Sequence, residues 1–123
     1  FQQATAPFLG RWVSDELAQG RSHESIELFR RLVADMPGRG IYRYGLGEAY
    51  RKRNKGTDVA AATEAYRGAL ECSDAPAEAW RGLGLVAMKA GDNAAAKDAF
   101  VQYRAKAPDA EDKAMVDFYL SQL

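Results

Sequence analysis

The sequence predicts an all-α fold built as a stack of helical hairpins, and three observations carry that prediction. Apolar residues recur at helical spacing along nearly the whole chain, as in Trp80, Leu83 and Ala87 at i, i+3 and i+7. Short stretches of Gly, Pro, Asn and Asp cut the helical runs at close intervals, at Gly20, Pro37-Gly38, Gly56, Ser73–Pro76, Gly91-Asp92-Asn93 and Pro108. No stretch alternates apolar with polar residues, so no strand is predicted.

The elements follow in order. Phe1 to Ala6 read as a short disordered lead-in, and the start at Phe1 rather than Met is expected of a processed protein or an excised piece. From about Pro7 to Gln19, Phe8, Leu9, Trp12, Val13 and Leu17 form a helical stripe, with Pro7 suited to a first turn. Ser22 is placed to cap a second helix that runs to about Met36 and carries Ile26, Leu28, Phe29, Leu32 and Val33. A third helix begins near Gly40 with Ile41, Tyr44, Leu46, Gly47 and Tyr50, and ends in the polar run from Arg51 to Gly56. Thr57 or Asp58 caps a fourth, with Val59, Ala62, Tyr66, Ala69 and Leu70 on its apolar side. The fifth holds Trp80, Leu83 and Ala87. Gly91 suits the left-handed residue after it, and Asp92 or Asn93 the cap of the sixth, whose stripe is Ala96, Ala99, Phe100 and Tyr103. Asp109 caps a seventh with Ala114, Met115, Phe118, Tyr119 and Leu120 apolar, and Asp112 in its first turn suits the helix dipole.

The hairpins repeat one another residue by residue. Ser25-x-x-x-Phe29, Ala62-x-x-x-Tyr66 and Ala96-x-x-x-Phe100 each set a small residue one turn before an aromatic, and Pro37, Pro76 and Pro108 follow. Leu46-Gly47-x-x-Tyr50 matches Leu83-Gly84-x-x-Ala87. Tyr66 to Phe100 is 34 residues and Phe29 to Tyr66 is 37, which places a three-residue insertion in the turn from Arg51 to Thr57.

This arrangement resembles the tetratricopeptide repeat, whose pattern is W-x2-L-G-x2-Y…A-x3-F…P at a period of about 34 residues. The third repeat has Ala87 in place of the Tyr, the second has Arg43 in place of the Trp, and the first lacks the Leu-Gly, with Trp12-Val13 standing there. The resemblance implies a right-handed superhelix of three hairpins, at about 7–37, 40–76 and 77–108, closed by a capping helix at about 109–122, seven helices in a single domain. The ending from Phe100-x-x-Tyr103 to Ala107-Pro108-Asp109-Ala110-x-Asp112-Lys113-Ala114-Met115 is similar to tetratricopeptide modules of bacterial envelope proteins, some of which follow a zinc metalloprotease domain. It implies a periplasmic or envelope setting, and a module cut from a longer protein.

Composition excludes several classes. With 17 basic and 17 acidic residues the formal net charge is +0, which argues against a broad phosphate-binding surface and so against nucleic acid as partner. No apolar run approaches the roughly 18 residues of a membrane span. The one cysteine, Cys72, forms no internal disulfide or multi-cysteine zinc site and reads as a small apolar side chain, with no flanking basic residue to favour thiolate. The one histidine, His23, follows a predicted cap and reads as an exposed imidazole. Gly82-Leu83-Gly84 lies inside a helix with no strand before it, so its glycines serve helix packing rather than phosphate. Carboxylate pairs such as Asp15-Glu16 and Glu111-Asp112 read as solvated charges. No catalytic constellation, metal site or cofactor site is predicted, although a fused catalytic domain in a parent protein fits the envelope resemblance.

Binding remains. The rotation between stacked hairpins makes a concave surface, and the resemblance implies that the first helix of each pair lines it. Helical geometry then sets Tyr44, Glu48, Arg51 and Lys52 opposite the core side of the third helix, and Arg81, Leu85, Met88 and Lys89 opposite that of the fifth. Met115 and Tyr119 close one end. The expected ligand is a protein or peptide segment with apolar side chains against Leu85 and Met88 and an acidic group near Arg51 or Arg81. The family's carboxylate clamp is not expected, because the corresponding places hold Gly10, Ser14, Gly45, Glu78 and Gly82. Two other roles stand beside this one: an accessory or regulatory domain of a larger enzyme, and self-association through Phe8 and Trp12.

Overall fold

A computed structural model describes residues 22–123. The helix predicted from Pro7 to Gln19, with Phe8, Gly10, Trp12 and Ser14, lies outside the described residues. Six helices follow: α1 (Ser22–Asp35), α2 (Gly40–Arg53), α3 (Asp58–Leu70), α4 (Glu78–Ala90), α5 (Asn93–Lys106) and α6 (Lys113–Gln122). No strand occurs among the described residues. The helices α2 and α3 form one hairpin and α4 and α5 the next. The first of these packs on α1, and α6 lies against α5. Contact between α2 and α4 makes an inner layer of first helices.

Helix ends follow local chemistry. Gly91 stops α4 in the left-handed region (φ 80°), with its N–H on the carbonyl of Met88 and the N–H of Asp92 on that of Ala87, the two bonds of a Schellman ending. Asn54 stops α2 in the same conformation (φ 52°), which Asn tolerates through local hydrogen bonding. The next cap differs between the hairpins. The Asp92 carboxylate accepts from the N–H of Ala95 and caps α5. Asp58, nearly fully buried at the head of α3, instead accepts two bonds from Arg53 (2.7 and 2.9 Å) and one from the N–H of Lys55, closing the longer turn. The three extra residues of the second repeat are therefore 55–57. Asp74, in the loop before α4, accepts from the N–H of Gly40 at 2.6 Å and from Arg39 at 3.1 Å, tying the starts of successive hairpins.

The core is a column of aromatic rings against glycines. Tyr66, with no exposed surface, lies between α2 and α4, one edge over Gly47 and another over Gly82. A Cβ at Gly47 would fall 2.8 Å from the ring, and one at Gly82 closer still, so only hydrogen fits at either place. Phe29 and Phe100 repeat the arrangement on Gly45 and Gly84. Ala49, Ala62, Ala69, Ala79, Ala96 and Val86 fill the remaining space. Leu46, Tyr50, Trp80 and Leu83 are only half-buried, packed on the margins of these clusters. Cys72 is half-buried beyond the end of α3, its thiol near the carbonyl of Gly68. His23 is exposed.

Replacing Gly82 by Ala should therefore lower unfolding stability by about 1–3 kcal/mol, the range for overpacking a filled core. Gly38→Ala, where a Cβ would meet nothing within 4 Å, should change it by less than about 0.5 kcal/mol. Urea titrations of the two variants check this, and equal midpoints would refute the ring-on-glycine packing.

Candidate protein-binding groove

Six of the eight residues singled out from the sequence lie on α2 and α4, Met115 and Tyr119 lie on α6, and the repeat register orders them in rows. Tyr44, Arg81 and Met115 form one row and Glu48, Leu85 and Tyr119 a second, with spacings of 37 and 34 residues, while Arg51 and Met88 form a third. Helical geometry puts each row at one height on α2, α4 and α6.

Two hydrogen-bonded networks occupy this surface. In the first, the Arg81 guanidinium donates to the Tyr44 hydroxyl at 2.9 Å and to the Asp112 carboxylate at 2.7 Å, and the Tyr103 hydroxyl donates to the other Asp112 oxygen at 2.7 Å. One arginine thus ties α2, α4 and the head of α6, and its charge lies 5.8 Å over the Tyr103 ring. In the second, Arg51 donates to Glu48 (2.9 and 3.1 Å) and to the Tyr66 hydroxyl (3.1 Å), and Tyr66 donates to Glu48 at 2.6 Å. The ring that fills the core therefore carries the hydroxyl that anchors this pair.

Protonation follows from these bonds. Burial alone would raise the Asp112 carboxyl, but the bonds from Tyr103 and Arg81 outweigh it and hold the group below the usual carboxylate range. Burial and then the Asp112 bond push the Tyr103 hydroxyl up to about 12. Burial raises Tyr44 and Tyr66 as well, with Glu48 adding to both. For Arg81 burial acts downward, yet Tyr44, Asp112 and Glu48 together keep it charged and raise it.

Leu85, Met88, Met115 and Tyr119 are half-buried around Phe100, Tyr103 and Val116, with the Tyr119 and Phe100 rings stacked at 5.7 Å. At the C-terminal ends of α2 and α4 the surface opens into a cleft of about 190 Å³ lined by Arg51, Asn54, Val59, Leu85, Val86 and Lys89. Arg51 spends Nε and Nη2 on Glu48 and Tyr66, and its Nη1 has no partner among the described residues. Lys89 is exposed and pairs with no carboxylate among the described residues.

The tetratricopeptide repeat profile matches residues 11–76 and, in a second overlapping stretch, 56–111. The chain belongs to the tetratricopeptide-repeat family. Repeats of this family generally mediate protein–protein interaction. The chain is also similar to the cellulose synthase operon protein C of Komagataeibacter xylinus, 29% identical over 111 residues. That alignment covers 89% of this chain and 8% of the relative, so the chain spans only a small part of that protein's length. Among the described residues no helix is long and apolar enough to cross a membrane, and no group of three or more His, Cys, Asp or Glu is arranged to hold a metal ion.

Against the sequence expectations, the groove residues separate by role. Arg81 pairs with Asp112 through Nη1 and with Tyr44 through Nη2, while Arg51 pairs with Glu48 and Tyr66 through Nε and Nη2. The sequence reading missed Asp112 and Tyr103 as parts of this surface. It gave the cap of α6 to Asp109, whereas α6 begins after Asp112, whose side chain bonds to Arg81 and Tyr103. The signal was present in the register, since Asp112 falls 34 residues after Glu78 at the head of α4.

Asp112 yields a pH test with a definite sign. Its lowered folded-state value means its contribution is full above the unfolded value near pH 4 and is lost as pH falls through the folded one. Asp112→Asn should cost about 1–2 kcal/mol at pH 7, allowing for a partly exposed pair. The gap from the native chain should narrow as the pH falls below about 4. Urea midpoints against pH measure it, and a gap constant from pH 7 to 3 would exclude the Arg81–Asp112 tie as its source.

Proposed function

We propose that the chain is a non-catalytic binding module whose inner groove takes a protein or peptide segment bearing an aliphatic side chain beside a carboxylate. The observation that carries this reading is the cleft at the ends of α2 and α4. Its wall is Val59, Leu85 and Val86, and its polar groups are the open Nη1 of Arg51, the Asn54 amide and the Lys89 ammonium. All the unspent hydrogen-bonding capacity of those two cations is donor capacity, and it flanks an apolar wall, so an acceptor anion on a short apolar stem matches it. Tyr44, Glu48, Arg81, Met88, Met115 and Tyr119 extend the surface. In this reading Tyr44, Glu48 and Arg81 shape the groove, and the methionines and Tyr119 supply adaptable apolar contact.

A second reading, an accessory module of a larger enzyme system, is favoured by one observation. The similar protein is named for a cellulose synthase operon, and the aligned stretch is 8% of it. The reading frame containing residues 1–123 tests this: a catalytic signature in the same or an adjoining frame supports it, and none there overturns it.

For the preferred reading, a phage-displayed random peptide library selected on the purified chain should enrich sequences with Asp or Glu next to an aliphatic residue. Lys89→Glu, an exposed change that leaves the melting temperature in place, should weaken the selected peptides about five- to tenfold, the scale of turning one surface attraction into a repulsion. Enrichment of basic peptides, or equal affinity for Lys89→Glu, would refute the groove chemistry.

A further inference from the structure

The two complete hairpins provide an internal comparison on the opposite side of α4. At about 100° per residue, Trp80, Leu83 and Ala87 lie across that helix from Leu85 and Lys89. In the second hairpin Tyr50 and Arg53 occupy the positions that Ala87 and Ala90 hold in the third, at the 37-residue spacing of Leu46 and Leu83. The Arg53 guanidinium there sits 5.9 Å over the Tyr50 ring and holds Asp58 with two hydrogen bonds. In the third hairpin both large side chains are reduced to methyl groups, while the carboxylate is kept: Asp92 follows Asp58 by 34 residues, the spacing of Ala62 and Ala96.

Where the ring and guanidinium are missing there is a cleft of about 320 Å³, larger than the one in the groove. Trp80 and Leu83 form its apolar wall, and Asp92 and Asp98 face it from α5. Asp92 uses one oxygen on the N–H of Ala95, and neither carboxylate has an ion-pair partner among the described residues. On the α3 wall, Arg67 has Glu64 at 3.7 Å as a counter-ion. The uncompensated charge of the cleft is therefore negative, beside a half-exposed indole suited to a planar cation.

We infer that this cleft is a second binding site, taking an arginine and an adjoining aromatic or aliphatic side chain from a partner peptide. The guest guanidinium pairs with Asp92 and Asp98 and stacks on Trp80, replacing the contacts that Arg53 makes within the second hairpin. The guest apolar side chain fills the volume that Tyr50 occupies there. The site shares only the buried Val86 with the Arg51–Lys89 cleft and is opposite to it in charge preference, so it does not depend on the groove reading.

The test titrates the 15N-labelled chain with acetyl-Arg-Tyr-amide, using acetyl-Glu-Tyr-amide as control, and follows amide and indole resonances. Saturable shifts at the Trp80 indole and at the amides of residues 92–99 are expected with the arginine probe and not with the glutamate one. Ala87→Tyr, which refills the space, should abolish them. Asp98→Asn, an exposed change that keeps the fold even where Ala87→Tyr does not, should weaken binding at least about fivefold. Lys89→Glu should leave these shifts unchanged. Equal response to the glutamate probe, shifts confined to the Arg51–Lys89 cleft, or undiminished binding by Asp98→Asn would each overturn the inference. So would concentration-dependent dimerisation that Ala87→Tyr removes, which would make a second copy the occupant.

Discussion

A buried tyrosine ring needs partners on its faces and edges, and a buried hydroxyl needs a hydrogen bond; Tyr66 has both needs met by different helices. Its ring fits only because Gly47 and Gly82 present hydrogen where any other residue would present carbon. Its hydroxyl fits only because Glu48 and Arg51 reach it from α2. Removing either condition disturbs the other, since the ring's depth between α2 and α4 sets where the hydroxyl emerges. The spacing of the hairpins and the floor of the groove are thus fixed by one side chain.

The same coupling explains the charges of the inner surface. A surface bearing Arg51, Arg81 and Glu48 looks electrically open in the sequence, but most of that charge is closed internally, with Asp112 supplying a partner from the head of α6. Partly buried ions without partners cost several kcal/mol each in desolvation, so a surface that must also hold helices together satisfies them first. Arg81 is the clearest case: it spans 31 residues to Asp112 and 37 to Tyr44, joining α2, α4 and the head of α6. Ion pairs hold the shape of this surface, and in the proposed reading recognition falls to the donors those pairs leave over.

How far the sequence could be read follows from the range of each interaction. Helix periods, Gly91, Pro37 and Pro76 act within a few residues, and the register of Gly47 and Gly84 on their rings follows from the repeat, so the helices and hairpins are legible. The facing of Tyr44, Arg81, Leu85 and Met88 follows from the same periodicity. What one helix's period cannot reveal is which polar groups meet across hairpins. Asp112 reads as a dipole-matching charge because its local setting is a helix start; its partners lie on α4 and α5. Asn54 reads as part of a polar turn, although its left-handed conformation brings it to the rim of a cleft. Asp58 reads as a cap, yet Arg53 draws its carboxylate into the turn that the extra residues create.

Along the register, the two complete hairpins differ at positions that touch. The place of Glu48 on α2 is held by Leu85 on α4, and the place of Tyr66 on α3 by Phe100 on α5. The changes are matched: where the inner helix offers a carboxylate the outer helix supplies a hydroxyl, and where it offers a leucine the outer ring has none. In the second hairpin Arg51 bonds to both the carboxylate and the hydroxyl, so a lone exchange at either position removes the Tyr66–Glu48 bond and leaves the remaining group paired with Arg51. The consequence is a carboxylate–hydroxyl pair over the second hairpin where the third has Leu85 against the Phe100 cluster. At these two positions the difference between the hairpins therefore follows from hydrogen-bond satisfaction inside each of them.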